Sequence, residues 1–400
     1  MNRKKVYLAF ALTALVMLAG CEKKEEKKTE ELVKVQEYRS QMEQDIKEIQ
    51  KEEYDTLQFK EAEFEEFPEC SEVYILQSED RGVTVEESIQ SIKEWLKEIG
   101  QEDLNLKKQL RDAANGTDDD SKEYPYNYPG VYENRDTLPN GDFFFVNTKD
   151  CYWQMGSDGA YSVSDGTINR YLEETSKAAM DALGVNEEKI VSESKIDADS
   201  DDAYELIDGE TKICDARNMA VQYFAAGTPF AISEDISIDI PYAEVFQIKD
   251  KYGYIFDICR SYKGIPIAYS DASARTEYDD ISIREDSKKA YVATSGTVNA
   301  FTGHNEAQPF SEQEKTDQII RLRDSVARLD QELAANLTVR VEDVAFVYCP
   351  ICTSLEEDQD TLYPCWQYSG KNILNGRGVR IYHNAVSGEI YLYEYNLSET

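Results

Sequence analysis

The sequence predicts an α+β protein built of tandem units, each one helix packed on an antiparallel sheet, behind a signal peptide and a charged tether. Three observations carry this expectation. Segments with a three- to four-residue apolar period are each followed by several short alternating or aromatic runs, whereas a parallel sheet would alternate strand and helix. Turn signals such as Asn140-Gly141 and Asp158-Gly159 separate the runs. The chain has 400 residues, and single cores stop growing at about 250 to 300 residues, so more than one unit is expected.

The first segment reads Met1-Asn2-Arg3-Lys4-Lys5, an apolar stretch over 6–18, and then Leu18-Ala19-Gly20-Cys21. A basic start, an apolar run short for a bilayer span and small residues before a single cysteine make 1–20 a secretory signal. Residues 18–21 resemble the bacterial lipobox. That resemblance implies that Cys21 is lipidated and anchors the chain at the extracytoplasmic face of the cell membrane. Residues 21–67 are rich in Glu and Lys and contain no Gly, which predicts a solvated tether, partly helical through opposite charges three or four residues apart. Leu32, Val35, Met42, Ile46 and Ile49 do not sustain coiled-coil heptads.

Three units are expected beyond the tether. In the first, 68–200, Thr84 and Glu87 form a capping box before Val85, Ile89, Ile92, Leu96 and Ile99. Strands follow at 143–146, 151–153 and 161–163, and a second helix at 168–183 stops at Gly184. The middle unit, 205–303, has a helix at 211–224, an alternating run at 236–240 ended by Pro241, a hairpin of 243–248 with 254–259, and an extended segment at 291–298. In the third, 308–397, Ser311 and Glu314 cap a helix with Ile319, Leu322, Val326, Leu329, Leu333 and Leu337 on one stripe. The period then changes to two, with strands at 339–348, bulged at Glu342-Asp343, and at 362–368, 379–383 and 390–393.

Two stretches carry a family resemblance. They are Tyr254-Ile255-Phe256 with Tyr262-Lys263-Gly264-Ile265-Pro266, and Leu362-Tyr363-Pro364-Cys365-Trp366 with Asn384-Ala385-Val386-Ser387-Gly388-Glu389-Ile390. Gly264 and Pro266 shape a bend, Trp366 fills a helix-to-sheet interface, and Ser387-Gly388 closes a hairpin. The two C-terminal units, about 205 to 397, are similar to the PepSY-like units of extracytoplasmic regulatory proteins, including YycH/YycI-type regulators of sensor kinases. The resemblance implies a module without catalytic groups that binds another extracytoplasmic domain and modulates it.

The chemistry is sparse. The chain carries 43 Lys and Arg against 79 Asp and Glu, a net charge of −36, and no basic stripe, which excludes nucleic acid as a partner. Its two histidines, His304 and His383, sit in no nucleophile motif, and no phosphate loop, His-Glu-x-x-His pair or nucleophile elbow is present. Besides Cys21 there are Cys70, Cys151, Cys214, Cys259, Cys349, Cys352 and Cys365. Cys349 and Cys352 have redox spacing, and with Cys365 and His383 they form a candidate zinc set. A disulfide from Cys349 or Cys352 to Cys365, on neighbouring strands, fits an extracytoplasmic protein better. Asp197, Asp199, Asp201, Glu205 and Asp208 fall at positions 1, 3, 5, 9 and 12 of a candidate calcium loop, but Asp202 stands where such a loop needs Gly. Tyr124, Tyr126 and Tyr128, between prolines and outside helix or strand periodicity, form a candidate binding loop.

The sequence therefore leads to a surface-anchored lipoprotein that binds and modulates another envelope protein, with no catalytic residues and no required cofactor. A transporter's solute-binding lipoprotein is the alternative, and an envelope hydrolase using paired carboxylates is the third class.

Overall fold

A computed structural model describes residues 32–78, helical positions 90, 93, 94 and 97, and strand residues 126–127, 143–147, 151–156 and 161–165. It further describes 196–227, 235–248, 250–268, 276–278, 281–283, 289–296, 298, 300–303, 310–333, 337–352 and 360–395. Strands dominate, and the described helices are α1 (Val35–Ile49), α2 (Ile213–Gly227) and α3 (Leu322–Glu332). The principal strands are β1 (Val73–Ser78), β2 (Tyr242–Ile248), β3 (Lys251–Asp257), β4 (Cys259–Tyr262), β5 (Lys289–Val292), β6 (Phe310–Thr316), β7 (Val339–Cys352), β8 (Thr361–Asn372), β9 (Gly378–Asn384) and β10 (Ile390–Tyr395).

The expected tandem of helix-on-sheet units is overturned. Segments assigned to different units share sheets. A nine-stranded antiparallel sheet runs in the order 126–127, 143–147, 151–156, 161–165, 300–303, β5, β3, β2, 196–197. It joins the expected first unit to the middle one, because Phe301 pairs with Val163. The other large sheet is built on the meander β7–β8–β9–β10, yet it recruits β1, which pairs with β6 and with the start of β8. Leu32–Thr400 accordingly forms one unit.

Residues 32–67, expected to be solvated tether, belong to the core of that second sheet. Residues 32–34 pair antiparallel with 318–320, so that Val33 faces Ile319. In α1 the buried residues are Val35, Tyr38, Met42, Asp45 and Ile49, a three- to four-residue stripe that packs on its own C-terminal sheet. The surrounding charges are real but lie on the outer face. The helix expected from Ser311 to Leu337 is also shortened. Residues 310–316 are strand β6, registered against β1, and the helix begins only at Leu322. Ile319 and Leu322 are both buried against this core although one is on a strand and the other on a helix, which makes the stripe look continuous in sequence.

The junction is fixed by a buried charge. Asp45 on α1 has no solvent exposure and accepts two bonds from Arg321 Nε, at 2.7 and 2.9 Å, and one from the Tyr38 hydroxyl at 2.6 Å. Tyr38 Oη in turn accepts the Leu322 N–H at 3.1 Å, at the first turn of α3. Burial, and then the Asp45 carboxylate, push the Tyr38 hydroxyl far above its ordinary pKa, so it remains a donor. Beneath this contact Trp366 is fully buried. It donates Nε1–H to the Ile320 carbonyl and meets the rings of Tyr38, Phe67 and Phe346 at 4.8 to 5.8 Å.

The bulge expected in β7 is present. Val341 pairs with Gly370 and Asp343 with Ser369, leaving Glu342 between them. The partner strand comes so close that a Cβ on Gly370 would stand 2.1 Å from the Arg340 carbonyl oxygen. On β9, His383 pairs with Trp366 and shares the helix-covered face. It is fully buried, and neither ring nitrogen makes a hydrogen bond of good geometry. Burial, and then Arg328 on α3, lower its pKa to about 4, offset slightly by Glu332 and by the Gly388 backbone.

Three outcomes follow from these contacts. Asp45→Ala removes the buried carboxylate that Arg321 and Tyr38 share, so urea unfolding should show a loss of about 3–5 kcal/mol and amide exchange should accelerate first over 35–49. Gly370→Ala forces the bulge open and should cost at least about 2 kcal/mol, whereas Gly296→Ala, with open space around it, should cost under about 1 kcal/mol. His383 is neutral when folded, so its stabilisation is complete above its unfolded pKa of 6.5 and is lost as pH falls toward 4. That loss amounts to about 3 kcal/mol. Denaturant midpoints measured from pH 7 to pH 4 should be flatter for His383→Phe than for the native chain.

Candidate functional site

The motif Tyr262-Lys263-Gly264-Ile265-Pro266 folds into a hairpin at one end of a three-stranded sheet formed by 236–239, β4 and 265–266. Tyr262 pairs with Ile265, leaving a two-residue turn in which both residues are left-handed, Lys263 at φ 48° and Gly264 at φ 81°. This is the turn type whose twist matches the flanking strands. Gly264 suits it without cost. Lys263 is the non-glycine residue with positive φ among the described residues, a conformation that costs about 1–2 kcal/mol.

Contacts from distant segments hold Lys263 there. Its backbone N–H donates to the Asp235 carbonyl at 2.7 Å. Its ammonium pairs with the Glu312 carboxylate on β6 and lies 3.9 Å from Asp235. The same ammonium stands 4.3 Å from the ring centroid of Tyr74 and 5.5 Å from that of Tyr262. Tyr262 completes the set by donating its hydroxyl to Glu312 at 2.9 Å. The hydrogen bond to Glu312 raises the Lys263 pKa, and Lys263 lowers that of Glu312. Burial, and then Glu312, raise the Tyr262 hydroxyl.

Behind the turn, the rings of Tyr262, Tyr74, Tyr348 and Phe310 meet edge to face at 6.1 to 6.2 Å, with Arg260 5.3 Å above Phe310. They join the small sheet to the large one, helped by the bridge between Ile267 and Tyr348. Beside Tyr74 a depression of about 30 Å³, lined by Val73, Glu314, Lys315 and Val386, has room for one water rather than a solute. At neutral pH Lys263 stays protonated and Cys70, pushed to about 11 by burial, stays a thiol. Neither is an activated nucleophile. The arrangement offers a rigid polar and aromatic surface, with Lys263 31% and Glu312 39% exposed.

The residues singled out from sequence are placed differently. Cys21, Tyr124, Tyr128 and His304 lie outside the described residues. Tyr126, expected in a loop, pairs with Val146 at one end of the nine-stranded sheet. The carboxylates of the calcium reading face separate partners. Asp197 accepts the Asp199 N–H, Asp199 is 3.8 Å from Arg217, Asp201 pairs with Lys212, Glu205 with Lys251, and Asp208 accepts two bonds from Ser295. Among the described residues no group of three metal-ligating side chains converges.

The cysteines are on neighbouring strands, as the disulfide reading requires, but out of step. Cys365 pairs with Val347 and Cys349 with Tyr363, and both are buried and joined by no disulfide. Such diagonal positions lie about 7–8 Å apart, too far for a disulfide without movement. Cys352 pairs through its backbone with Ser282. His383 shares the face of Trp366, whereas Cys349 and Cys365 share the face of Tyr382, so the sheet separates the histidine from these two cysteines. The hairpin partners Glu312, Asp235 and Tyr74 carried no sequence signal, because they reach Lys263 from other strands.

No protein family and no curated protein matches this chain. Among solved structures, an uncharacterized protein from Eubacterium rectale is similar over 82% of this chain and 89% of its own, at 12% identity and a TM-score of 0.46. The Bacillus megaterium YpeB C-terminal domain is similar over 46% of this chain and 95% of its own, at 11% identity and a TM-score of 0.17. Both likenesses are distant, and the second is a weak structural neighbour of about half the chain.

Proposed function

We propose that this chain is a lipid-anchored protein of the extracytoplasmic face of the cell membrane, which binds another envelope protein and modulates it without catalysis. The mode of action is that of the PepSY-like, YycH/YycI-type regulators its C-terminal motifs resemble. The address is read from the leader-like residues 1–20 and the lipobox-like cysteine that follows them, Cys21. The observation that carries the binding role is the Lys263 turn. Backbone strain persists only where surrounding structure holds it, and such positions gather at binding and switch sites. Here the strain is held by an ion pair and two rings that present a rigid, partly exposed surface. A solute binder of two parallel-sheet lobes fits poorly, because both large sheets are predominantly antiparallel and the depression at the turn is water-sized.

Lys263→Asn tests the reading. Asn tolerates the left-handed region, which offsets the lost ion pair, itself worth about 0–1 kcal/mol. Stability should therefore stay within about 1 kcal/mol of the native chain. In-cell crosslinking of the tagged lipoprotein, with Cys21→Ser as the unanchored control, should recover one membrane protein at least about tenfold less with Lys263→Asn. Unchanged recovery together with a large drop in melting temperature would make the turn purely structural and remove this support.

A further inference from the structure

Cys349 on β7 and Cys365 on β8 are fully buried on the sheet face opposite Trp366, in a small apolar cluster with Ala345, Val347 and Tyr382. Buried cysteines are ordinary core residues. Two observations set this pair apart.

The first is spacing. Val347 pairs with Cys365 and Cys349 with Tyr363, which puts the two thiols diagonally across neighbouring strands of one face. Diagonal Cα atoms stand about 7–8 Å apart. A disulfide brings Cα atoms to about 5.5–6 Å and its sulfurs to about 2.05 Å. A metal ion held between two thiolates sets the sulfurs about 4.6 Å apart, at about 2.3 Å per bond, and so takes up the excess.

The second is a buried donor without an acceptor. Asn384 on β9 pairs with Cys365, so the two side chains share a face. The Ala385 N–H donates to the Pro364 carbonyl at 2.9 Å, which places the ladder's hydrogen bonds on the flanking pair and makes Cys365 and Asn384 the closer, non-hydrogen-bonded kind. Asn384 Oδ1 accepts the Val386 and Ser387 N–H groups at 2.9 and 3.0 Å, which fixes the orientation of the amide. Its Nδ2 is buried and finds no acceptor among the described residues. Such groups are rare in folded proteins. A thiol is a weak acceptor, whereas a metal-bound thiolate is a strong one, and donors of this kind orient metal ligands.

We propose that Cys349 and Cys365 bind one soft monovalent cation, Cu(I), between two thiolates, with Asn384 donating to the Cys365 sulfur. Two S–H bonds break, two copper–sulfur bonds form and two protons leave to solvent, while the oxidation state of the ion is unchanged. The loaded site carries a charge of −1, which the Asn384 N–H stabilises. Thiolates select Cu(I), and two of them suffice for it. Zn2+ takes four ligands, and no third ligating side chain converges here among the described residues. Tyr363 and Tyr391, which pack against the cluster, are only partly buried, so the cluster is not sealed from solvent. The site is independent of the binding role proposed above.

The test titrates the full chain carrying Cys21→Ser, which removes the anchor thiol, with Cu(I) under anaerobic conditions against the chromogenic chelator bicinchoninate. One equivalent should be withdrawn from the chelator, and X-ray absorption should show two sulfur neighbours around the copper. Cys349→Ala or Cys365→Ala should weaken that binding at least about hundredfold, and Cys214→Ala should leave it unchanged. Asn384→Asp keeps the oxygen that caps the turn but removes the donor, and should weaken it about 10–100-fold. Because a substitution in the core can itself weaken the fold, the chain with both cysteines is also read directly: Cu(I) should slow amide exchange over 345–351 and 361–367. No copper withdrawn from the chelator, native affinity in a folded Cys349→Ala or Cys365→Ala variant, three or more sulfur neighbours, or exchange slowed only elsewhere would overturn the proposal. Native affinity in a folded Asn384→Asp variant would remove Asn384 from it.

Discussion

The Asp45–Arg321 pair is the contact on which the rest of the C-terminal core depends. A carboxylate with no exposure to water is stable only when its charge is matched and its lone pairs are occupied, and Arg321 and Tyr38 together do this. The same carboxylate sits at the start of α3, where unpaired N–H groups favour negative charge. One polar cluster therefore satisfies a helix end, holds α1 against α3 and closes one face of the meander β7–β10. It joins residues 276 positions apart in sequence. Cores assembled from such distant segments are expected to fold slowly, since loop closure precedes most of the stabilising contacts.

Tyrosine is the material from which this core is made. The chain has 27 of them, and the largest fully buried side chains include Tyr38, Tyr254, Tyr348 and Tyr368. Each hydroxyl has a partner inside. Tyr254 donates to the Thr211 carbonyl at 2.5 Å, Tyr348 accepts the Tyr74 N–H at 3.1 Å, and Tyr368 and Ser325 share a bond of 2.7 Å. Burial pushes the Tyr254 hydroxyl up to about 12 and those of Tyr348 and Tyr368 higher still. Aromatic area fills the space between sheets, and the satisfied hydroxyls fix orientation, so packing is specific where aliphatic residues would slide.

One surface stands out against this interior because rigidity is spent on presenting it. At the Lys263 turn, distant strands supply the anion and rings that hold a strained backbone. The chain as a whole is strongly acidic, which disfavours association with anionic polymers.

Local patterns in the sequence determined much of the secondary structure. The period-two runs became β7, β8, β9 and β10, the unpaired Glu342 fell where the bulge was expected, α2 lies near its expected place, and Trp366 fills the helix-to-sheet interface. These depend on neighbours a few residues away, which a sequence displays directly. Assembly was decided elsewhere. That 32–49 completes a core beginning again at 318 rests on Asp45 meeting Arg321, and among so many acidic residues nothing local marks Asp45 as buried. That β6 is a strand and not the first turns of a helix depends on the free edge of β1. The Lys263-Gly264 bend was legible, but not Glu312, Asp235 and Tyr74 around it, because strand pairing between distant segments is specified by the three-dimensional complementarity of whole faces. For the same reason the cysteine spacing suggested a zinc or disulfide site, while the register put Cys349 and Cys365 out of step and set His383 on the opposite side of the sheet.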